Sequence, residues 1–411
     1  MDFSGAYSVL KKVYGDGAYI SEVITRDKVD DPFSVRLAYG VVERDYELTA
    51  TIHALCQKQP KASIRIMLKM GMYCIKYMDS APAYAVTSSM VDFAKKVGKG
   101  ASAGLINAVL KRYVDFTMPT PTDEVEAVAL STSVPVWIVA LLKKRFGIEE
   151  TERILAYKQH RASIRINERL IDEGEALRRL NKAGVNPTRH PLGGFRVDTG
   201  KVVQKMFFDG LLTYQSPSSV YVAALCAAVR PQKVLDLCSA PGGKAVYIAE
   251  KTGAEVLACD VHAHRTELIK KYASRMKTQG ISTKVMDGTV RDESLVGAFD
   301  LVLVDAPCSG LGVLGEKPEA LLNRKIEDVA TLVGVQKRLI NNAADYVKRG
   351  GYLVYSTCTL TEEENEGVVR EFLTAHPEFA VDMPGEDGLG RTLLPHKDDT
   401  DGFFAVRMKK L

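Results

Sequence analysis

The stretch "VLDLCSAPGGKAVYIAE", residues 234–250, combines a strand-like run, a glycine turn and the start of a helix. It starts with a short apolar run typical of a buried strand, and Gly242 and Gly243 then allow the tight turn that opens a helix. Three further apolar runs follow, "EVLAC" (255–259), "DLVLV" (300–304) and "YLVYS" (352–356), with helical patterns between them. This alternation predicts right-handed βαβ units, and hence a Rossmann-like α/β domain with a mostly parallel sheet.

Two cysteines follow two of these predicted strands. "DAPCSG" (305–310) places Cys308 after the strand at 300–304, and "STCT" (356–359) places Cys358 after the strand at 352–356. Ligands of parallel sheets bind at the carboxyl ends of the strands. We therefore expect both thiols at the functional edge of the sheet.

The turn "CSAPGGK" (238–244) is predicted to hold a cofactor. It is not a phosphate-binding P-loop, because Cys238 stands where that motif has glycine and Ala245 where it has serine or threonine. It also lacks the GxGxxG fingerprint of dinucleotide sites. Asp260 ends the second strand, where a carboxylate can accept hydrogen bonds from both ribose hydroxyls, and Asp287 is available to an adenine. A nucleoside held without a phosphate cradle indicates S-adenosyl-L-methionine. The residues predicted to bind it are Cys238, Ser239, Ala240, Pro241, Gly242, Gly243, Lys244, Asp260, Arg265, Asp287 and Asp305.

The composition indicates a soluble globular protein of several domains. The 411 residues are 46% hydrophobic and 26% charged. The first residues lack the pattern of a signal peptide, and the longest uncharged stretch, 210–229, is interrupted by polar residues. Seven cysteines without a CxxC pair favour reduced thiols and lack the ligand spacing of a zinc site. We therefore expect a cytoplasmic, monomeric protein without a membrane segment, a metal or a DNA partner.

Three domains are predicted. Residues 1–120 read as helices, for example "VTSSMVDFAKKVG" (86–98), until "MPTPTDE" (118–124) interrupts the helical period. Residues 121–215 mix helical patterns with the strand-like "ASIRIN" (162–167) and are predicted to form an α/β linker domain. Residues 216–411 contain the parallel sheet.

The basic surplus of the chain lies in its first half. Residues 51–120 sum to +7, whereas the whole chain has a net charge of only +4. A basic surface suits a polyanion such as RNA, although a solvated helix face gives the same pattern. The residues predicted to contact phosphates are Lys95, Lys96, Lys99, Lys111 and Arg112.

Several motifs carry a family resemblance. "LDLCSAPGGK" (235–244), "DAPCSGLG" (305–312) and "YSTCTL" (355–360) with "EENE" (363–366) resemble the signatures of RNA cytosine-5 methyltransferases. "FFDGLLTYQSPSS" (207–219) is similar to their lead-in, except that Ser216 stands where an acidic residue is common. "GMYCIKYMDSAPAYAVTSSMVDFAKKVG" (71–98) and "GLINAVLKR" (104–112) are similar to the NusB-like domain of the RsmB branch, also called Fmu or Sun. "SIRIN" (163–167) resembles the Arg-x-Asn element of its connecting domain, which implies RNA contacts for Arg165 and Asn167.

The resemblance implies an all-α NusB-like domain, an RNA-binding α/β linker domain and a methyltransferase domain. The implied reaction is methylation of carbon 5 of a cytosine in unassembled or partly assembled 16S ribosomal RNA. Carbon 5 is a poor nucleophile, so a thiolate must first add at carbon 6, and a base must later remove the hydrogen of carbon 5. In the family, Cys358 is the nucleophile, Cys308 assists release and Asp305 binds the cytosine. Lys244 is a candidate cation beside the site.

Three alternatives stay open from the residues alone. Spacing does not assign the two cysteine roles, because "PC" is also the nucleophile motif of DNA cytosine methyltransferases. The chain could be a non-catalytic RNA-binding assembly factor, or it could methylate another RNA such as tRNA. A dehydrogenase would require the dinucleotide fingerprint that the sequence lacks.

Overall fold

The computed structural model describes residues 1–78, 81–159, 161–383 and 388–411. They form two compact units. The first consists of Met1–Ala156 and Leu314–Arg324, and the second of Tyr157–Val313 and Lys325–Leu411. The three predicted domains, with limits at residues 120 and 215, stay a prediction.

The helices are α1 (Ser4–Asp16), α2 (Ile20–Asp27), α3 (Pro32–Glu43), α4 (Asp45–Leu55), α5 (Ala62–Tyr77), α6 (Ala83–Lys96), α7 (Ala103–Val114), α8 (Glu124–Thr132), α9 (Val136–Phe146), α10 (Ile148–Ala156), α11 (Glu173–Lys182), α12 (Lys201–Phe208), α13 (Pro217–Ala227), α14 (Gly243–Thr252), α15 (Ala263–Arg275), α16 (Ala320–Asn323), α17 (Ile326–Tyr346), α18 (Glu366–Ala375) and α19 (Pro395–Asp398). The strands are β1 (Ala162–Ile166), β2 (Thr188–Arg189), β3 (Phe195–Val197), β4 (Leu212–Tyr214), β5 (Lys233–Asp236), β6 (Glu255–Asp260), β7 (Ile281–Val285), β8 (Phe299–Asp305), β9 (Val347–Thr357), β10 (Phe379–Met383), β11 (Arg391–Leu393) and β12 (Phe403–Lys410).

Local signals explain where several helices begin. Asp31 caps α3, because its carboxylate accepts a hydrogen bond from the backbone N–H of Ser34 at 2.9 Å, and a proline follows it. Asp123 caps α8 in the same way. Ser216, the departure from the family pattern, caps α13 through its hydroxyl. The serine therefore has a structural role at the start of the second unit's large α/β region.

The first unit is a helical bundle with one inserted segment. Helices α1–α7 enclose an apolar core that includes Leu37, Leu48 and Met67. The segment Leu314–Arg324 belongs to this unit, and its Leu322 packs against the same core. Glu319 accepts a hydrogen bond from the first backbone N–H of α2 at 3.3 Å. A stretch that follows the "DAPCSGLG" motif thus lies within the helical unit, which the sequence did not predict.

A small antiparallel sheet occupies the start of the second unit. Its strand order is β2-β3-β1-β4, and the chain order is β-α-β-β-α-β from β1 to β4. Ile164, Phe195 and Leu212 form its core together with Leu180 of α11 and Met206 of α12. The predicted strand in "ASIRIN" and the mixed α/β character of this region are confirmed.

The large sheet has the strand order β10-β12-β9-β8-β5-β6-β7, with β11 paired to β12. Strands β9, β8, β5, β6 and β7 are parallel, and β12, β10 and β11 add antiparallel pairs at one side. The mostly parallel sheet is confirmed. The adjacent glycines Gly350 and Gly351 are typical of a helix end and predict that α17 stops there, but this prediction is wrong. The helix ends at Tyr346, and both glycines lie in the irregular first part of β9.

One observation concerns membranes. Within the described parts of the chain, no single helix is long and apolar enough to cross a bilayer, and one sharply bent pair, Glu124–Thr132 with Val136–Phe146, passes only by length and composition.

Candidate active site

Four neighbouring parallel strands bring functional side chains to one edge of the large sheet. Strands β5, β6 and β8 end at Asp236, Asp260 and Asp305, and β9 ends one residue before Cys358. Because parallel strands share one carboxyl edge, these residues gather where ligands of such sheets bind. The predicted functional edge therefore exists as a cluster of carboxylates and thiols.

The predicted cofactor turn is a tight loop between β5 and α14. The backbone N–H of Ser239 donates to the carbonyl of Cys259 at 2.8 Å, and that of Gly242 donates to the carbonyl of Ser239 at 2.7 Å. Gly242 has φ +107°, and an added Cβ would lie 3.1 Å from Ile269. Only glycine fits this left-handed, crowded position without strain. The loop can therefore approach a ligand closely with its backbone.

Asp260 and Arg265 connect the second strand to this loop. Asp260 is buried, and its carboxylate lies 3.1 Å from the guanidinium of Arg265. Arg265 also donates to the carbonyl of Ala240 at 3.4 Å. Asp287 is exposed, and hydrogen bonds from the Thr289 hydroxyl and N–H lower the pKa of its carboxyl. The structure thus brings Asp260 and Arg265 to the loop.

Asp236 is a buried carboxyl that the sequence reasoning did not assign. It is 1% exposed, and its oxygens, like the Ser239 hydroxyl beside the turn, have no hydrogen-bond partner among the described residues. Burial raises the pKa of the Asp236 carboxyl to about 7. Buried polar atoms without partners are costly unless a ligand satisfies them. The sequence does contain a signal for this residue, because Asp236 ends the apolar run "VLD" (234–236) just before the predicted cofactor turn at 238–244.

Lys244 and Asp305 form an ion pair at the sheet edge. The lysine Nζ lies 2.6 Å from Oδ2 of Asp305, and the hydroxyl of Ser356 donates to Oδ1 at 2.7 Å. Burial alone would lower the pKa of the Lys244 ammonium, but the carboxylate of Asp305 raises it above its ordinary value. Lys244 is therefore a fixed cation, and two donors hold the side chain of Asp305 in place.

The two cysteines lie side by side. The sulfur atoms of Cys308 and Cys358 are 3.2 Å apart, and the backbone N–H of Cys358 donates to Sγ of Cys308 at 3.3 Å. Cys308 is 8% exposed, and Cys358 is half-buried. The hydrogen bond with Cys358, burial and the negative charge of Glu364 raise the pKa of the Cys308 thiol well above its ordinary value. The two sulfurs are thus distinct in environment.

A polar network that the sequence reasoning left unassigned surrounds these thiols. Glu364 and Asn365 are fully buried, and they are hydrogen-bonded to Ser309 and Thr359, the residues that directly follow the two cysteines. Both residues belong to "EENE" (363–366), which contributes to the family resemblance, but the sequence did not indicate what either residue does. Among the residues described, no three His, Cys, Asp or Glu side chains are arranged to hold a metal ion.

The predicted RNA contacts divide into two groups. The first group lies on the first unit, where Lys95, Lys96, Lys99, Lys111 and Arg112 are all exposed. Arg165 and Asn167, by contrast, are only 4% and 1% exposed. Arg165 pairs with Glu250 and Gln215, and Asn167 donates to two backbone carbonyls. Their partners give them a structural role inside the second unit, and this placement does not offer them to an RNA.

Family models match almost the whole chain. Residues 223–409 match the family described as 16S rRNA methyltransferase RsmB/F. Residues 6–115 match the NusB family, and residues 134–203 match the ferredoxin-like domain of RsmF/B-like methyltransferases.

The chain is also similar to individual methyltransferases. The chain is 31% identical to a probable ribosomal RNA small subunit methyltransferase B of Bacillus subtilis (strain 168), and the match covers 98% of both chains. A solved methyltransferase homolog from Pyrococcus horikoshii is 27% identical, with a TM-score of 0.61, and covers 71% of this chain and 100% of that chain. NSun6 from Pyrococcus horikoshii, solved with SFG, is 22% identical with a TM-score of 0.58, covers 67% of this chain and 98% of that chain, and supports the fold.

Proposed function

Because the chain belongs to the family of ribosomal RNA small subunit methyltransferase B, with its NusB-like N-terminal domain, we propose that it methylates carbon 5 of a cytosine in 16S ribosomal RNA through a covalent bond between Cys358 and carbon 6 of the base. The chain is a ribosomal RNA methyltransferase that uses S-adenosyl-L-methionine. Beyond the family assignment, the proposal specifies carbon 5 of cytosine as the methylated atom and a covalent enzyme–RNA intermediate as the route. The observation that carries it is the 3.2 Å separation of the two sulfurs at the strand ends.

Two neighbouring thiols are what this chemistry requires. Addition of a thiolate to carbon 6 of cytosine makes carbon 5 nucleophilic. Once carbon 5 is methylated, its hydrogen must leave as a proton, and the bond between carbon 6 and sulfur must break to restore the aromatic ring. One sulfur bonds to the base while the other can accept the proton. A methyltransferase acting on a nitrogen or a ribose oxygen would need neither thiol.

The environments of the two thiols favour Cys358 as the nucleophile. Cys358 is the more exposed of the pair, and it is one of the negative groups that raise the pKa of Lys244. This attraction is mutual, so the ammonium also stabilises the Cys358 thiolate. Cys308 instead keeps its proton, because its pKa is raised by its hydrogen bond with Cys358 and by burial. The greater exposure of Cys358 and its attraction to Lys244 thus favour attack by Cys358.

The same contacts would activate Cys308 at the right time. When Cys358 is bonded to the base, its sulfur is a neutral thioether that no longer repels a second thiolate. The hydrogen bond to a Cys358 thiolate and the repulsion by its charge, two causes of the raised pKa of Cys308, are then lost, while the N–H of Cys358 still donates to the Cys308 sulfur at 3.3 Å. In the covalent intermediate Cys308 therefore gives its thiol proton to solvent more readily, and the resulting thiolate can accept the proton from carbon 5. Asp305, fixed by Lys244, is available to hydrogen-bond the cytosine.

The loop between β5 and α14 fits the cofactor. The unpartnered carboxylate of Asp236 suits the ammonium of a methionine moiety, and Asp260 suits the hydroxyls of a ribose. S-adenosyl-L-methionine supplies an electrophilic methyl group when it is bound. The backbone of Ser239 and Gly242 leaves room for close approach, as the left-handed glycine indicates.

Analysis of the methylated nucleoside tests the proposal. Protein-free 16S ribosomal RNA is incubated with the protein and S-adenosyl-L-methionine carrying a labelled methyl group, and the digested nucleosides are identified by mass spectrometry. We expect label in 5-methylcytidine. Label in another nucleoside would contradict the proposal, and label in no nucleoside would favour a non-catalytic assembly factor. Transfer RNA in a parallel reaction distinguishes the RNA class.

A further inference from the structure

The chain just before α18 carries two adjacent polar residues that contact both cysteine loops. We propose that Glu364 and Asn365 are positioning residues, in which Glu364 holds the loop of Cys308 and Asn365 holds the loop of Cys358. The inference rests on the proposed function, since it assumes that the two thiols act in sequence on one base. It adds the device that sets their separation.

Glu364 is bonded to the residue that follows Cys308. Its Oε1 accepts from the backbone N–H of Ser309 at 2.8 Å, and its Oε2 accepts from the Ser309 hydroxyl at 2.6 Å. The hydroxyl of Thr361 also donates to Oε2 at 2.8 Å. Glu364 is 0% exposed, so no water competes for these bonds. Hydrogen bonds to a buried charged acceptor are among the strong ones in proteins.

The residue before Cys308 is held through the same carboxylate. Gln336 of α17 is fully buried, and its amide nitrogen donates both to Oε1 of Glu364 and to the carbonyl of Pro307, each at 3.0 Å. Cys308 is therefore fixed on both sides, at Pro307 and at Ser309. Its sulfur can move only if this network opens.

Asn365 does the same for Cys358. Its side-chain amide nitrogen donates to the carbonyl of Thr359 at 3.0 Å, and its amide oxygen accepts from the hydroxyl of Thr357. These two residues flank Cys358 in the chain. Asn365 is 0% exposed, like its neighbour Glu364. The loop of the second thiol is thus held on both sides by one side chain.

Two further contacts join the halves of this network. The hydroxyls of Ser309 and Thr359 lie 2.7 Å apart, and the hydroxyl of Tyr355 donates to the backbone carbonyl of Glu364 at 2.7 Å. Because Glu364 and Asn365 are joined by a peptide bond, their Cα atoms stay about 3.8 Å apart. The covalent link between the two residues therefore fixes the distance between the loops, and hence between the sulfurs.

The negative charge of Glu364 has a second consequence. It is one of the groups that raise the pKa of Cys308, after the hydrogen bond with Cys358 and burial. A glutamine at this position can keep an oxygen toward the Ser309 N–H, and its NH₂ can donate to the hydroxyls that met Oε2. Glu364→Gln therefore keeps the positioning and removes the charge. Glu364→Ala removes both.

The test compares five variants, one of which is Cys308→Ala, with the wild type. Glu364→Ala, Asn365→Ala and Glu364→Gln are tested for covalent RNA complex on denaturing gels and for the rates of complex formation and release across pH. Glu362→Gln is the matched control, because Glu362 lies in the same segment but is 57% exposed and forms a surface ion pair with Arg370. Urea unfolding and binding of S-adenosyl-L-methionine show whether each variant is folded.

The two alanine variants are expected to affect different steps: Glu364→Ala slows release of the RNA, and Asn365→Ala slows formation of the covalent complex. In Glu364→Ala the displaced Cys308 slows release about 100-fold, the size of effect that a misplacement of about 1 Å produces, so the complex accumulates. In Asn365→Ala the displaced Cys358 slows complex formation by a similar factor, so little complex appears. Glu364→Gln restores release and shifts its pH dependence to lower pH, because Cys308 loses its proton more easily. The control behaves as the wild type.

Three results would overturn the inference. If Glu364→Ala and Asn365→Ala show the same defect, the network only stabilises the fold. If both work at the wild-type rate while Cys308→Ala traps RNA, the positioning role is wrong and the proposed function stands. If neither the wild type nor Cys308→Ala ever forms a complex with RNA, the proposed function fails and the inference fails with it.

Discussion

Replacing Lys244 by methionine separates the electrostatic and packing contributions of the site. The Lys244–Asp305 pair spans 2.6 Å, and the two side chains are 12% and 27% exposed. Removing one partner of a fully buried pair leaves the other charge uncompensated, at a cost of about 3–5 kcal/mol. Asp305 keeps some solvent contact and the hydroxyl of Ser356, so we expect the free energy of unfolding to fall by about 2–3 kcal/mol.

The same change should slow the chemistry. The ammonium of Lys244 and the thiolate of Cys358 stabilise each other, so Lys244→Met makes the Cys358 thiol harder to ionise. Less of the thiol is then ionised near neutral pH, so the rate there should fall by about tenfold. The rising limb of the pH–rate profile then moves to higher pH. Single-turnover methyl transfer between pH 6 and 10 measures this shift, and urea unfolding measures the stability.

Two further variants complete this experiment. Lys244→Met with Asp305→Asn removes both charges, so it should recover part of the lost stability but none of the activity. Lys251→Met is the control on the same helix, because its pair with Glu168 is 35% and 50% exposed and worth about 0–1 kcal/mol. If Lys244→Met unfolds at the wild-type urea concentration and keeps the wild-type pH–rate profile, the electrostatic reasoning is refuted.

Two other outcomes are expected. In the ligand-free protein, the contribution of Asp236 to stability should fall as the pH rises from 3.8 to about 7, because unfolded Asp236 is ionised in this window while folded Asp236 keeps its proton. Asp236→Asn should remove this contribution in urea unfolding, and the same pH dependence in the variant and the wild type would contradict the raised pKa. Replacing Lys95, Lys96 and Lys99 by glutamine should weaken RNA binding and reduce the slope of log K against log[salt] by about 2–3, at roughly 0.7–0.9 per lost phosphate contact; an unchanged slope would make these lysines an ordinary solvated face.

The sheet and its functional edge could be predicted from the sequence because both depend on short local patterns. A strand such as "DLVLV" is apolar over its whole length, and the residue after it must reach the carboxyl edge if the sheet is parallel. Cys308, Cys358, Asp260 and Asp305 followed from that rule alone. The glycine turn after β5 was equally local, because Gly242 adopts a conformation that few other residues tolerate.

The features that the sequence did not predict depend on contacts between residues that are distant in the chain. Arg165 looks like an RNA contact in "SIRIN", but Glu250, 85 residues away, pairs with it inside the protein. Gly350 and Gly351 resemble a helix end, and only the pairing of β9 with β8 shows that the strand has already begun. The roles of Glu364 and Gln336 arise from folding α17 and the β9–α18 loop around Cys308. Burial of a polar residue is decided by such tertiary contacts.

Covalent capture of RNA by the cysteine variants tests the two-thiol mechanism most directly. Cys308→Ala and Cys358→Ala are each incubated with 16S ribosomal RNA and S-adenosyl-L-methionine, and the complexes that survive denaturing electrophoresis are digested and mapped by mass spectrometry. We predict that Cys308→Ala retains RNA on the peptide that contains Cys358, and that Cys358→Ala retains none. RNA held by Cys308 in the Cys358→Ala protein, with none held in Cys308→Ala, would contradict the assigned roles.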